Sequence, residues 1–538
     1  MKNLKTTIKK FMSITLTGLV ILLFNSCEDL IEEEIILPDS SSSEQLISWN
    51  KILNQLDLES ETAFVQNGKS IQDAVDAALP GDIIYIEPGT YQEDLTINRS
   101  DVKLIGLSIT PNDLVINKGI KDNIEILKLY DQKSIDDFQK KSQNQATTSS
   151  ISDFSRTELG AGVAHYQFKV QIGEGEFDIV RIHRVVRESL PFRPIPTKGD
   201  VFMVHGAFTG FDGTFLTIGM ESSNDINAHT SSPFYLASKN IDVWGIDMGW
   251  TMVPNDDSLD FSFMEGWGYE KDASHTLKAM RIARLVRGMT GQGFSSINLL
   301  GFSSGNTVAY AAANRETQEN NMSKRHVKGI ISVDNAFKVL DGNSGCGTAM
   351  PIETEIAGGK FENDFGGFFS LLANLALGTP DELSPIFGGY GLTNIQAFRF
   401  VFYGNDILGF HFFGGNLEGS FYSDEMRNLR AIASYSTYMP NLLWQEIDAV
   451  NCTSMDVTFD DYLDLISVPI LYIGAGGGSG AEAGYYTSSL TASTDITNHL
   501  VSLDADPLKD FGHVNIWVGN NADELVWSNL RNWLENHH

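Results

Sequence analysis

The chain carries 538 residues, too many for one compact core, so two or more structural units are expected. A formal charge of -31 repels nucleic-acid phosphates and anionic lipid headgroups, leaving neutral, apolar or sugar ligands as partners and no nucleic acid. Three cysteines exclude a disulfide-dense scaffold, and a hydrophobic content of 42% is that of a globular protein.

Residues 1–26 read as an export signal. Lys2, Lys5, Lys9 and Lys10 precede an apolar run over 11–24, too short for a permanent membrane span, which closes on Asn25-Ser26-Cys27. The stretch Leu23-Phe24-Asn25-Ser26-Cys27 resembles the lipobox of bacterial lipoproteins, with an Asn-Ser pair where small residues are usual. That resemblance implies lipidation of Cys27, and the acidic run behind it, Glu28 to Glu34, resembles the export tracts of surface-exposed lipoproteins, which implies residence at the outer membrane or cell surface of a Gram-negative bacterium, the periplasmic side staying open. The other reading is an ordinary cleaved signal with a free Cys27. An acidic tether follows over 27–62, where Glu28, Asp29, Glu32, Glu33 and Glu34 precede a serine run and too little apolar surface exists to fold. Membrane contact is expected through the lipid anchor only.

Over 63–133 the pattern changes. Residues 70–78 read as a short amphipathic helix closed by Pro80-Gly81, followed by short β segments at 83–86, 95–97, 102–105 and 114–116 with turns between them. Spaced strands of this kind can stack as solenoid rungs. The wording from Ser70 to Ser108 resembles the opening of pectin-lyase-like parallel β-helix proteins, which implies a truncated β-helix acting as a docking or spacer module, glycan binding being an alternative. Residues 134–155, rich in Gln, Ser and Thr, read as a linker.

The second unit, 156–538, alternates strands and helices. Residues 165–172 and 178–186 read as paired strands, 201–204 and 241–246 as short apolar strands, and 275–289 as a helix. The stretch 295–315 holds the most chemistry, because Ile297, Leu299 and Leu300 form a strand that enters Gly301-Phe302-Ser303-Ser304-Gly305 and leaves as an Ala-rich helix. This is the layout of a nucleophile elbow, whose tight turn needs neighbours without side chains. A later apolar strand at 501–503, the loop Asp510-Phe511-Gly512-His513 and a closing helix over 522–534 complete an α/β pattern with a mostly parallel sheet.

Residues 200–208, the 301–305 elbow and Gly512-His513 resemble the lipase and esterase branch of the α/β-hydrolase superfamily. The resemblance implies acyl transfer by a serine triad in the chain order nucleophile, acid, histidine. By matching, Ser303 is the nucleophile and His513 the base, while the N–H groups of Ala207 and Ser304 form the oxyanion hole. His205 shapes the loop and is not the base. The acid is the open member, since the usual place after the strand at 468–473 carries only the glycine-rich run 474–480. Asp334, closing the strand at 327–333, is favoured, with Glu482 as the alternative and Asp506 or Asp510 behind it. Asp334 could equally serve as a helix cap.

An insertion at about 340–462, rich in Phe, Leu and Gly, reads as a helical lid over the elbow. Cys346 and Cys452 fall near its ends. In an oxidising compartment a bridge between them would tie those ends together, two free buried thiols being the alternative. No His/Cys cluster has zinc spacing and no phosphate-binding lysine motif occurs, so neither metal nor cofactor is expected. Two function classes remain. One is a serine hydrolase acting on a small-molecule ester, a lipid or an acylated glycan. The other is an inactive hydrolase-fold surface lipoprotein for glycan binding or scaffolding. The oligomeric state is not legible.

Overall fold

The computed structural model describes residues 61–98, 101–117, 123–142, 151–256, 258–403 and 411–538. The export signal, Cys27 and the tether up to residue 60 lie outside them.

Four strands, β1 (Thr62–Val65), β2 (Ile83–Ile86), β3 (Lys103–Ser108) and β4 (Glu125–Lys128), lie side by side and parallel in that order. Their period-2 alternation serves two cores. Ala63, Val65, Ile84, Ile86 and Leu104 bury against α1 (Ile71–Ala77), whereas Phe64, Ile83, Tyr85, Ile105 and Leu107 join the large core of the rest of the chain. The segment 95–97, expected as a strand, is not one. Gln72 on α1 takes its place in the pairing, since its side-chain oxygen accepts from Thr96 N–H at 2.7 Å and its amide donates to Thr96 O at 3.1 Å.

The linker expected over 134–155 is structured at both ends. Helix α2 (Gln132–Ser142) buries Ile135 and Phe138, two apolar residues at helical spacing that suffice to seat an otherwise polar segment, and β5 (Ile151–Gly160) is already the edge of the main sheet. The N-terminal strands also dock directly. Lys324 and Asp82 form a buried ion pair at 2.8 Å, Glu87 accepts from Phe294 N–H at 3.1 Å, and the Arg284 guanidinium lies 4.3 Å from the centre of the Phe64 ring.

In the main sheet β5 is followed by β6 (Val163–Gln171), β7 (Ile179–Leu190), β8 (Gly199–Val204), β9 (Ile241–Asp247), β10 (Ile297–Phe302), β11 (Val327–Val333), β12 (Ile470–Ala475) and β13 (Ile496–Val501). The spatial order is β13-β12-β11-β10-β8-β9-β7-β6-β5. From β8 to β13 the strands are parallel, and β5, β6 and β7 form an antiparallel meander joined to β9. The last strand thus ends where the sequence suggested it would begin. Residues 502–504 are drawn into a turn by Asp510, whose carboxylate accepts from Ser502 Oγ and from Leu503 and Asp504 N–H.

Strands β8 and β10 are neighbours, and the chain leaves β8 toward one side and returns on the other. The strand order thus reverses between them, and it is outside the carboxyl ends at such a reversal that open α/β sheets place their ligands. Helices α3 (Tyr269–Met289) and α4 (Ser304–Glu316) precede and follow β10. At the opposite end of the strands buried charges are matched: Arg184 grips Asp242 through two bonds of 2.8 Å, Arg287 meets Asp200 at 3.0 Å and Asp242 at 3.3 Å, and Lys328 reaches Asp200 at 2.9 Å.

Between β11 and β12 the insertion contributes α5 (Cys346–Ala357), α6 (Phe365–Gly378), α7 (Asn394–Phe402), α8 (Glu425–Ala433) and α9 (Asn441–Ala449). A disulfide joins Cys346 and Cys452, closing the insertion across a sequence separation of 106. Phe369, Phe402 and Phe412 pack edge to face within it, and Phe369 meets Phe208 of the loop after β8.

Candidate active site

Ser303 sits between β10 and α4 with φ 55° and ψ -125°, a conformation that L residues avoid and that costs about 1–3 kcal/mol. The surroundings hold it there. Ser303 N–H donates to Val333 O at 3.1 Å, and Ser303 O accepts from Asn306 N–H at 2.9 Å and from the Asn335 amide at 2.9 Å. The Asn306 amide in turn donates to Asn335 O at 3.1 Å. Two glycines are obligatory. A Cβ on Gly301 would overlap the backbone of Gly305, and one on Gly305 would come within 2.5 Å of the carbonyls of Val204 and His205.

The loop after β8 approaches from the side. A Cβ on Gly206 would stand 3.1 Å from the Ser303 Cβ, so backbone rather than side chain faces the serine. His205 is buried and fixes this loop. Its Nε2 accepts from Met248 N–H at 3.1 Å, which places the ring proton on Nδ1, and Nδ1 then donates to Gly206 O at 2.8 Å. In a trans peptide the C=O and the next N–H point in opposite directions, so holding Gly206 O back turns Ala207 N–H forward. Ser304 N–H is the first of α4, where a helix leaves its amides without internal acceptors. Among the described residues neither Ala207 N–H nor Ser304 N–H has a protein acceptor.

His513 is 4% exposed and stacks on Phe302, the residue before the serine, with ring centres 4.5 Å apart. Its Nδ1 lies 2.6 Å from Asp334 Oδ2. A proton shared there leaves the lone pair on Nε2, the nitrogen a serine hydroxyl needs. Asp334 is fully buried with φ 46°, and its carboxylate accepts from Ala475 N–H at 2.8 Å and Ser479 N–H at 3.3 Å. The glycine run after β12 therefore has a purpose without a carboxylate of its own: it wraps the one supplied by β11. A Cβ on Gly478 would overlap the Asp334 carboxylate, and one on Gly476 would overlap that of Asp510.

The other acids sort themselves out by position. Asp510 is spent on its own turn, and Asp506 is a solvent-side cap that accepts from Leu508 N–H at 3.1 Å. Glu482 falls in the helix Gly480–Ser489, and its side chain lies outside the described residues. Sequence reasoning missed Asn306, Asn335, Ser479 and the tautomer-setting Met248. Asn335 could have been noticed as a second polar residue at the end of a buried strand. The insertion also bonds to the histidine loop, with His513 N–H donating to His411 O at 2.7 Å and Val514 N–H to Phe412 O at 2.8 Å.

The molecule is thus a mixed, mostly parallel sheet flanked by helices, with a serine in a strained strand-to-helix turn beside a buried histidine–carboxylate pair. No family model matches the chain, and no curated protein does. Among solved structures it is similar to a candidate lipase from Sulfolobus solfataricus, with 16% identity over 72% of this chain and 99% of that one at a TM-score of 0.46. It is also similar to a thermophilic esterase from Thermogutta terrifontis (13% identity, 69% and 99% covered, TM-score 0.35). A third is a monoacylglycerol lipase from Paleococcus ferrophilus (14% identity, 64% and 97% covered, TM-score 0.32). What this chain can do chemically follows from its own side chains.

Proposed function

We propose that the chain is a serine hydrolase of carboxylic esters. Ser303 Oγ attacks the ester carbonyl while His513 Nε2 takes its proton, and Asp334 holds the imidazole and stabilises its positive charge. The oxyanion forms toward Ala207 and Ser304 N–H, each such donor contributing about 3 kcal/mol to the transition state. Collapse expels the alcohol, which receives the proton from His513 and leaves the acyl group on Ser303. Water then repeats the sequence and releases the acid.

The observation that carries this reading is the strained Ser303 whose neighbour Phe302 stacks on an imidazole already bound to a buried carboxylate. The lack of a carboxylate after β12, the one feature that favoured an inactive scaffold, has another explanation in Asp334. The aromatic insertion serves as the lid and acyl wall, which suits a small-molecule ester, a lipid or an acylated glycan. Lipidated Cys27 would hold the enzyme at the outer membrane or cell surface of a Gram-negative bacterium, with 63–133 as a docking or spacer element. Chromogenic esters of increasing acyl length, assayed on the wild type and on Ser303→Ala, test the proposal. Turnover should fall by about 10⁴-fold or more in the variant. Equal rates would mean that the serine is not the nucleophile.

A further inference from the structure

Away from the elbow, three potential ligand atoms converge. His165 on β6 and His183 on β7 project from the same face of the hairpin, because His165 pairs with Val185 and Gln167 with His183 across the ladder. Asp212 begins the helical turn Asp212–Leu216, a few residues beyond Ala207. His165 Nε2 and His183 Nδ1 are 2.9 Å apart, and Asp212 Oδ1 stands 4.0 Å from the first and 3.7 Å from the second. His165 is 6% exposed and His183 is fully buried, with Phe211 stacked against both rings.

We propose that His165 Nε2, His183 Nδ1 and Asp212 Oδ1 form a zinc site. At bonds of about 2.0–2.2 Å a four-coordinate ion sets neighbouring ligand atoms about 3.3–3.5 Å apart. The three observed separations, 2.9 to 4.0 Å, bracket that value, so binding needs shifts of a few tenths of an ångström. Two imidazoles and one carboxylate select zinc or a similar transition ion over calcium or magnesium, which favour oxygen donors only. Asp247 supplies a charge behind the site. Its Oδ2 lies 3.2 Å from His183 Nε2, off the line of a hydrogen bond but near enough to favour a proton there and keep the Nδ1 lone pair for the ion.

A shared proton between the two histidines accounts for their 2.9 Å contact but not for Asp212. The Asp212 Oδ1 atom is buried and accepts no hydrogen bond, the situation a cation relieves. The Asp212 side chain as a whole is 42% exposed, which gives an ion and a completing water a way in. The site also reaches the oxyanion loop, because Asp247 Oδ1 accepts from Phe211 N–H at 2.6 Å. An ion here would tie the β6–β7 hairpin to the segment that carries Ala207. Sequence spacing gave no hint of metal, since the ligands come from diagonal positions on two strands and from a turn beyond a third.

Metal-stripped full-length protein titrated with zinc chloride tests the site, with Asp212→Asn as the near-isosteric control. The wild type should take up one tight equivalent and gain several degrees in Tm at about 100 μM free zinc, while the variant binds at least about 10-fold more weakly and gains correspondingly less. Cobalt chloride gives a readout independent of stability, because the wild type alone should develop the visible absorption of a four-coordinate ion. A stripped wild type that takes up no zinc overturns the proposal. So does equal uptake by both proteins, which would place the ion elsewhere, for instance at His537 and His538. Ser303→Ala should bind zinc as the wild type does, so loss of ester turnover and loss of the site are separate results.

Discussion

Replacing Asp334 by Asn isolates the acid. The carboxylate accepts from three donors, Ala475 N–H on one oxygen and Ser479 N–H with His513 Nδ1 on the other. An asparagine oriented to keep Ala475 turns its own NH₂ toward His513, and two donors then face each other. The imidazole relieves the clash by moving its proton to Nε2, where it can no longer accept from Ser303. A triad in the wrong tautomer loses about 10⁴ in kcat, or about 5.5 kcal/mol of transition-state stabilisation. The stability cost should be only about 1–3 kcal/mol, the penalty for leaving Ser479 N–H without its acceptor. Steady-state kinetics with a soluble ester at saturating concentration, alongside urea denaturation, separates the two effects. A kcat within tenfold of wild type, in a variant that folds, would refute Asp334 as the acid. A collapse of kcat in Glu482→Gln instead would move the role to Glu482.

Three further outcomes follow from groups away from the elbow. Burial pushes the Asp272 carboxyl up to about 7, above its value in the unfolded chain, so the folded state holds the extra proton and stability falls as pH rises from about 4 to about 7. Asp272→Asn should remove up to about 4 kcal/mol of that decline, measured by urea midpoints at pH 4 and pH 8; parallel slopes for both proteins would count against it. Reducing the Cys346–Cys452 bond, or changing both residues to Ser, should cost about 2–5 kcal/mol, with an unchanged urea midpoint the contrary result. Asp242→Ala strands the Arg184 guanidinium without its bidentate partner and should lower stability by about 3–5 kcal/mol, read by the same denaturation.

How much was legible depended on whether a residue's role is local. The elbow was readable because glycine at 301 and 305 answers a clash within a few residues of chain, and the strands β8 to β11 because burial on both faces leaves short, mostly apolar runs. Asp334 was only one candidate among several, since its claim rests on a histidine far away in sequence and on amides from a glycine run that reads as a flexible loop. The expected span 134–155 reaches into structured elements at both ends for the opposite reason, because composition averaged over the segment hid Ile135 and Phe138, while its middle, 143–150, lies outside the described residues. The strand expected at 95–97 was lost to a side chain, Gln72, imitating backbone.

Where the chain can be cut is decided by β1 to β4. Shortening it to begin at residue 151 would strip the aromatic cover from Phe294 and Arg284 and leave the Lys324 ammonium, 5% exposed, with no carboxylate to offset its desolvation. Strands β1 to β4 therefore belong in any version of this protein made for expression or crystallisation.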